Sequence, residues 1–254
     1  MPVAITRKVS PSIGNCELTH LGREPIDVAR AVAQHDAYER CLERLGCTVV
    51  SLAASPELPD SVFVEDVAVV LDELAMVTRP GAESRRAETA SIARVLAEHR
   101  PLAVIEPPAT LDGGDVLVLD RRVLVGLSSR STRDGVEQLH SLLAPHGYRV
   151  EPVEVRGCLH LKSAVTRVAP DTVLLNPLWV ERSQFARFDV IEIDPAEPYA
   201  ANGLLLGDTL VYPEAFPRTA ECLRQRGIRL ELLDLSELAK AEGAVTCCSL
   251  IVAD

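Results

Sequence analysis

The sequence predicts a closed ring of five α/β units, and three observations carry that prediction. A hairpin–helix–strand pattern occurs four times at a period of roughly 40–55 residues, the range in which repeats form arrays or propellers. A fifth copy is split between the two ends, with Val3–Val9 and Ser249–Ala253 both strand-like. The short segment before each hairpin carries polar and reactive side chains, as if the five copies shared one axis. An ordinary α+β sandwich is the plainer alternative. Splitting one unit across the termini is how a closed repeat is fastened, and that favours the ring.

Each element has its own signal. After the strand at Val3–Val9, a long helix at Ile26–Leu45 carries Val28, Val32, His35, Tyr38, Leu42 and Leu45 on one stripe, with Gly46 as its stop. Thr48–Leu52 closes that unit. In the next, Val67–Leu71 and Ala75–Thr78 flank Asp72-Glu73. Ser84 is positioned to cap a helix bearing Ala87, Ile92, Val95 and Leu96, Pro101 stops it, and Leu102–Ile105 follows. The following hairpin pairs Val116–Leu119 with Val123–Val125. Its helix carries Val136, Leu139 and Leu143, and its last strand is Val150–Val155. Then come Ala164–Val168 with Thr172–Leu175, a short helix near Pro177–Phe185, and Val190–Ile193. The last complete unit has Leu204–Leu206 with Leu210–Tyr212, a helix from Pro217 to Arg226 stopped at Gly227, and Leu230–Leu233.

Composition narrows the function. The chain has 254 residues, 47% hydrophobic and 25% charged, enough for one large globular domain or two small ones, and the ring takes residues 1–254 as a single catalytic domain. With 26 Lys+Arg against 37 Asp+Glu the net charge is −11, a field that disfavours nucleic acid and anionic membranes. No apolar run approaches the ~18 residues of a membrane span. The opening MPVAITRKVS lacks the apolar core of an export signal. Seven cysteines, an odd number, then read as thiols in a reducing cytoplasm.

The chemistry concentrates before the hairpins. The five segments are Phe63-Val64-Glu65-Asp66, Asp112-Gly113-Gly114-Asp115, His160-Leu161-Lys162-Ser163, Tyr199-Ala200-Ala201-Asn202 and Thr246-Cys247-Cys248-Ser249. Singly, each has a structural explanation: a Gly-Asp turn using positive φ, a solvated acidic loop, a hydrogen-bonded core histidine, buried thiols. Jointly, at matched positions, they converge on a site. Metal-ligand spacing is absent, so no metal and no cofactor is expected. Cysteine, histidine and acid together suit nucleophilic catalysis. The acids Asp60, Glu65, Asp66, Asp112 and Asp115 favour a planar cation such as a guanidinium, whose N–H groups pair with carboxylates in a fork.

On these residues, and on Leu18-Thr19-His20-Leu21-Gly22, the run from Pro59 to Asp66, the run from Thr78 to Arg86, Leu111–Leu117, His160-Leu161-Lys162 and Thr246–Ser249, the chain resembles the pentein superfamily of guanidine-modifying enzymes. Within it, the chain is similar to the dimethylarginine dimethylaminohydrolase family over nearly its whole length. The resemblance implies a five-bladed α/β propeller and hydrolysis of methylated arginine to citrulline and a methylated amine. It implies Cys247 as nucleophile rather than Cys248, His160 as general acid/base, and Asp112 as its orienting partner. It implies Glu65 and Asp66 on the guanidinium with Asp60 nearby, and Arg85 and Arg130 on the α-carboxylate. The carbonyls of Ala241 and Glu242 would receive the α-amino group, and Leu18 would sit on a flap over the pocket. Some relatives carry Glu where Asp112 stands, one methylene longer.

Three rival readings exist. An arginine deiminase would run the same chemistry on free arginine, but that branch generally carries a helical insertion for which 254 residues leave no room. An amidine-transferring enzyme would use an amine in place of water. A non-catalytic pentein would have no reason to keep Cys247, His160 and Asp112 together. A homodimer is compatible with the reading. Adjacent thiols beside a histidine lead to the expectation that zinc inhibits.

Overall fold

The computed structural model describes residues 1–253. Among them, fifteen strands form five separate three-stranded sheets, one per unit. Blade one is β3 (Ala68–Val70), β4 (Ala75–Val77) and β5 (Leu102–Val104). Blade two is β6 (Val116–Leu119), β7 (Arg122–Leu127) and β8 (Arg149–Glu154). Blade three is β9 (Val165–Ala169), β10 (Thr172–Leu175) and β11 (Asp189–Glu192). Blade four is β12 (Leu204–Leu206), β13 (Thr209–Pro213) and β14 (Arg229–Leu233). The fifth joins β15 (Leu250–Val252) to β1 (Val3–Arg7) and β2 (Thr48–Leu52), so the ring is closed by an antiparallel pairing of Val3 with Val252 and Ile5 with Leu250. In every blade the first two strands are antiparallel and the second and third parallel. The architecture is the five-bladed α/β propeller of the pentein type.

Burial explains the sequence signal. The central strands are buried almost throughout, β13 at every residue, because each has a partner on both sides and packing on both faces. They therefore read as continuous apolar runs. The outer strands β2, β5, β8, β11 and β14 are mostly exposed or part-buried, as expected at the rim. All five innermost strands line one open axial cavity of about 480 Å³, with Val69, Val118, Thr166, Leu205 and Ile251 among the lining residues of successive blades. That shared lining makes the repeat a ring.

The helices depart from expectation in three places. Helix α1 (Val28–Arg44) starts at Asp27, whose carboxylate accepts the Arg30 amide, and ends before Gly46 at φ +91°. Its buried face runs through Ala31, His35, Tyr38, Cys41 and Leu42, while Val32 is exposed. Ser84 caps nothing. A 3₁₀ stretch over Glu83–Glu88 leads into α2 (Thr89–Leu96), and the Ser84 hydroxyl donates to Glu17 instead (2.6 Å). In the third blade the expected helix shrinks to a 3₁₀ turn over Arg182–Phe185, which anchors the blade by burying Phe185. Helices α3 (Arg133–Leu143), capped by Thr132, and α5 (Pro217–Gln225) lie where the periodicity puts them. Among the described residues no helix is long and apolar enough to cross a membrane.

Candidate active site

The segments before the innermost strands are tight turns packed against one another at the axis. Val64–Val67 and Gly113–Asp115 are single 3₁₀ turns, and Leu161–Ala164 (α4) is one turn of helix starting after His160. The two glycines do not serve the role a lone Gly-Asp turn suggests. Neither has positive φ. They allow close approach: a Cβ on Gly113 would lie 2.0 Å from the Glu65 carbonyl oxygen, and one on Gly114 would lie 2.6 Å from His160 Nδ1 and 2.7 Å from Asp66 Oδ1. The Gly114 amide donates to Asp66 Oδ1 at 3.2 Å.

His160 is buried among carboxylates. Its Nε2 lies 3.0 Å from Asp112 Oδ2, and its Nδ1 lies 3.7 Å from Asp66 Oδ1. Burial opposes the charged ring, but Asp66, the bond to Asp112 and the nearby Asp115 outweigh it and raise the imidazole to about 9. Asp112 is fixed in turn. Its Oδ1 accepts the Gly81 amide (2.8 Å), and its own amide donates to Ser131 Oγ (3.1 Å). Asp115 accepts from Ser128 Oγ (2.6 Å), Ser131 Oγ (2.7 Å) and the Leu161 amide (2.9 Å), so it holds the backbone just after His160. Burial raises its carboxyl to about 6.

Cys247 borders the same cavity as His160. Burial pushes its thiol well up, and Glu65 and Asp66 push it further. Its carbonyl accepts the Glu65 amide (3.1 Å), tying the fifth blade's turn to the first. Cys248 is fully buried in the core beside Tyr38 and Leu42, with Sγ toward the Ala244 carbonyl (3.6 Å). Cys247 borders the cavity while Cys248 is buried in the core, so the two adjacent thiols do not both share the pocket with His160. Among the described residues Asp66, Asp112 and His160 do have ligand atoms within 4.8 Å of one another.

A narrow cavity of about 20 Å³ brings together Cys247, His160, Asp60, Asp66, Arg85, Arg130, Ala241 and Glu242. Three other predicted residues stand outside it. Asp112 is behind the His160 ring. Leu18 is half-buried against the core that contains Tyr38. Glu65 turns to the floor of the axial cavity, where its oxygens accept from Lys162 Nζ (2.5 Å) and Thr246 Oγ1 (2.7 Å). Arg85 borders the cavity but is not free. Its guanidinium donates to Asp66, to Glu88 (2.8 Å), and to the carbonyls of Phe63 (2.9 Å) and Asp60 (3.3 Å). That placement differs from the expectation of an arginine open to an α-carboxylate. Arg130 is less committed, with Nη2 donating to Thr19 Oγ1 at 3.0 Å.

Several supporting residues were not singled out by sequence. Lys162, Thr246 and Asn202 stand in the matched segments, so their position was the available signal. Asn202 Nδ2 bonds both Thr246 Oγ1 and the Lys162 carbonyl (3.0 Å each). Glu88 lies three residues after Arg85, within reach on one helical turn. Ser131 had no signal.

The sequence profile described as "N,N dimethylarginine dimethylhydrolase, eukaryotic" matches residues 20–178. N(G),N(G)-dimethylarginine dimethylaminohydrolase of Streptomyces coelicolor is 41% identical over 248 residues, covering 97% of this chain and 95% of that one. The chain belongs to the dimethylarginine dimethylaminohydrolase family. The Pseudomonas aeruginosa family member is 36% identical over 234 residues, 91% of each chain. Its solved structure, a cysteine-to-serine mutant complexed with citrulline, superposes with a TM-score of 0.94 at 33% identity over 98% of each chain.

Proposed function

We propose that this protein hydrolyses Nω-methylated L-arginine to L-citrulline and a methylated amine, the whole chain acting as one catalytic domain. The observation that carries the reading is a single cavity in which a cysteine, a histidine held by Asp112, and the carboxylates of Asp60 and Asp66 face one another. The chain-wide similarity to a family member that holds citrulline supports it.

The resting charges suit this chemistry. With the thiol neutral and His160 protonated, the empty site holds an acid without an active nucleophile. A guanidinium seated on Asp66 places a positive charge beside Sγ and lowers the thiol's pKa, so the thiol gives its proton to solvent and the substrate activates its own nucleophile. The Cys247 thiolate adds to the guanidinium carbon and the tetrahedral adduct forms. His160 gives its proton to the departing amine, whose C–N bond breaks, leaving an S-alkylthiouronium. The neutral ring then takes a proton from water, the hydroxyl adds to the same carbon, and collapse expels the thiolate and citrulline. The balance is one water consumed for one amine released.

Arg130 takes the α-carboxylate, and the carbonyls of Ala241 and Glu242 receive the α-amino group. Arg85 acts chiefly through Asp66, whose carboxylate it fixes. Glu65 and Lys162 pair on the floor of the axial cavity, outside the catalytic one. Seven unpaired cysteines support a reducing, cytoplasmic setting. The test is incubation with Nω,Nω-dimethyl-, Nω-monomethyl- and unmodified L-arginine and with agmatine, identifying amine and product by mass. Citrulline with dimethylamine supports the proposal. Ammonia from arginine alone would make it a deiminase, and transfer to added amines in preference to water would make it an amidinotransferase.

A further inference from the structure

Residues 17–27 between the first blade strand and α1 form no helix or strand, and Glu17, Thr19 and His20 are exposed. Such a segment needs ties to keep one conformation. One side chain supplies three of the backbone ties. The Glu242 carboxylate accepts the amides of Thr19 (3.1 Å to each oxygen), His20 (2.5 Å) and Leu21 (2.6 Å). Among the described residues none of these three amides has a backbone acceptor. Three successive N–H groups around one carboxylate form an anion nest, filled here by a residue more than two hundred positions away.

Glu242 sits where another residue would be cheaper. It follows the short helix α6 (Ser236–Ala239) with φ +58°, a backbone position that favours glycine. The turn is pinned, because a Cβ on the neighbouring Gly243 would lie 2.2 Å from the Phe63 ring. Its carboxylate therefore cannot follow the flap if the flap lifts. Glu242 also borders the catalytic cavity and the adjoining apolar cavity that His20 and Leu21 roof. We infer that the Glu242 side chain is the latch of the flap: a positioning residue that holds residues 19–21 down over the site and so sets how readily substrate enters and stays. This role belongs to the side chain and is separate from its carbonyl. It rests on the proposed reaction only for its kinetic readout.

The test compares wild type, Glu242→Gly and Glu242→Gln, all as full chains. Gly suits the left-handed backbone and so removes the carboxylate without straining the turn, and Gln keeps one acceptor oxygen. Amide hydrogen exchange is measured without substrate. Glu242→Gly is expected to speed exchange at 19–21 by about tenfold or more, as one lost charge-assisted bond implies, with β7 unchanged. Glu242→Gln falls between the two. With dimethylarginine, KM rises about tenfold in Glu242→Gly while kcat moves less than threefold. Unchanged exchange at 19–21 overturns the latch, as does faster exchange with unchanged KM. If the exchange result holds but the wild type releases no citrulline, the proposed reaction falls and the latch stands.

Discussion

Asp66 and Asp115 occupy equivalent places in adjacent blades, each in a 3₁₀ turn entering an innermost strand, and both are buried. Their charge states differ. Burial raises both, but at Asp66 the charges of His160 and Arg85 outweigh it and hold the carboxyl below its ordinary value. At Asp115 burial wins: the His160 charge, two hydroxyls and an amide oppose it, but no guanidinium does, and the carboxyl is raised to about 6. Depth alone therefore does not decide which acid meets a cation. A buried carboxylate stays ionised where a guanidinium or imidazolium already compensates it, and that one is ready for a cationic substrate.

The largest effect sets the floor of this comparison. Cys247→Ser should abolish turnover with an unchanged melting temperature, since an alkoxide is far harder to form than a thiolate, and Cys248→Ser should retain most activity. The reverse pattern in steady-state assays would reassign the nucleophile.

Asp66→Asn breaks the comparison directly, removing the charge from the first blade's acid. kcat/KM should fall at least ~10²-fold. Losing the foremost charge that raises His160 should also move the basic limb of the pH profile to lower pH. Stability should follow the same sign. A ring at about 9 in the fold against 6.5 free contributes stability that is fully present below pH 6.5 and lost as pH rises through 9. Urea unfolding at pH 6 and pH 9.5 should show a smaller difference in the variant than in wild type.

Gly114→Ala presses the two acids' shared neighbour. Its methyl would overlap both His160 and Asp66, so a stability loss of ~1–3 kcal/mol with a marked fall in kcat is expected in melts and assays. The smallest effect sharpens the comparison on the other side. Ser128→Ala removes one donor from Asp115 at a cost of about 1 kcal/mol, with kcat within about twofold. Because Asp115 is raised above its ordinary 3.8, its contribution to stability declines as pH rises from about 4 to 6. Loss of the hydroxyl should extend that decline to higher pH, measurable as melting temperature between pH 4 and 8.

The ring was legible because each blade's central strand is covered on both sides and so reads as an apolar run. Periodicity failed where packing did not follow the nominal stripe. Val32 faces solvent because α1 docks through Ala31 and Cys41, and Pro177–Phe185 keeps only a turn around Phe185. At the site, matched repeat positions drew attention to Cys247, His160, Asp112 and Asp66, which the fold brings to one axis. What stayed hidden was competition between side chains. Nothing local shows that the carbonyls of Asp60 and Phe63 engage Arg85, or that Lys162 and Thr246 take both oxygens of Glu65, since those bonds cross between segments apart in sequence.

The blade that closes the ring also sets a clock. During synthesis β1 emerges early but finds β15 only about 240 residues later. At ~5–20 residues per second that is on the order of 10–50 s with one blade lacking its innermost strand. Cys247 lies three residues before β15, so the thiol reaches its place only as that strand docks. A nascent chain stalled short of this point would carry Asp66, Asp112 and His160 already in hand, a well of acid and imidazole able to hold a cation and unable to cut it.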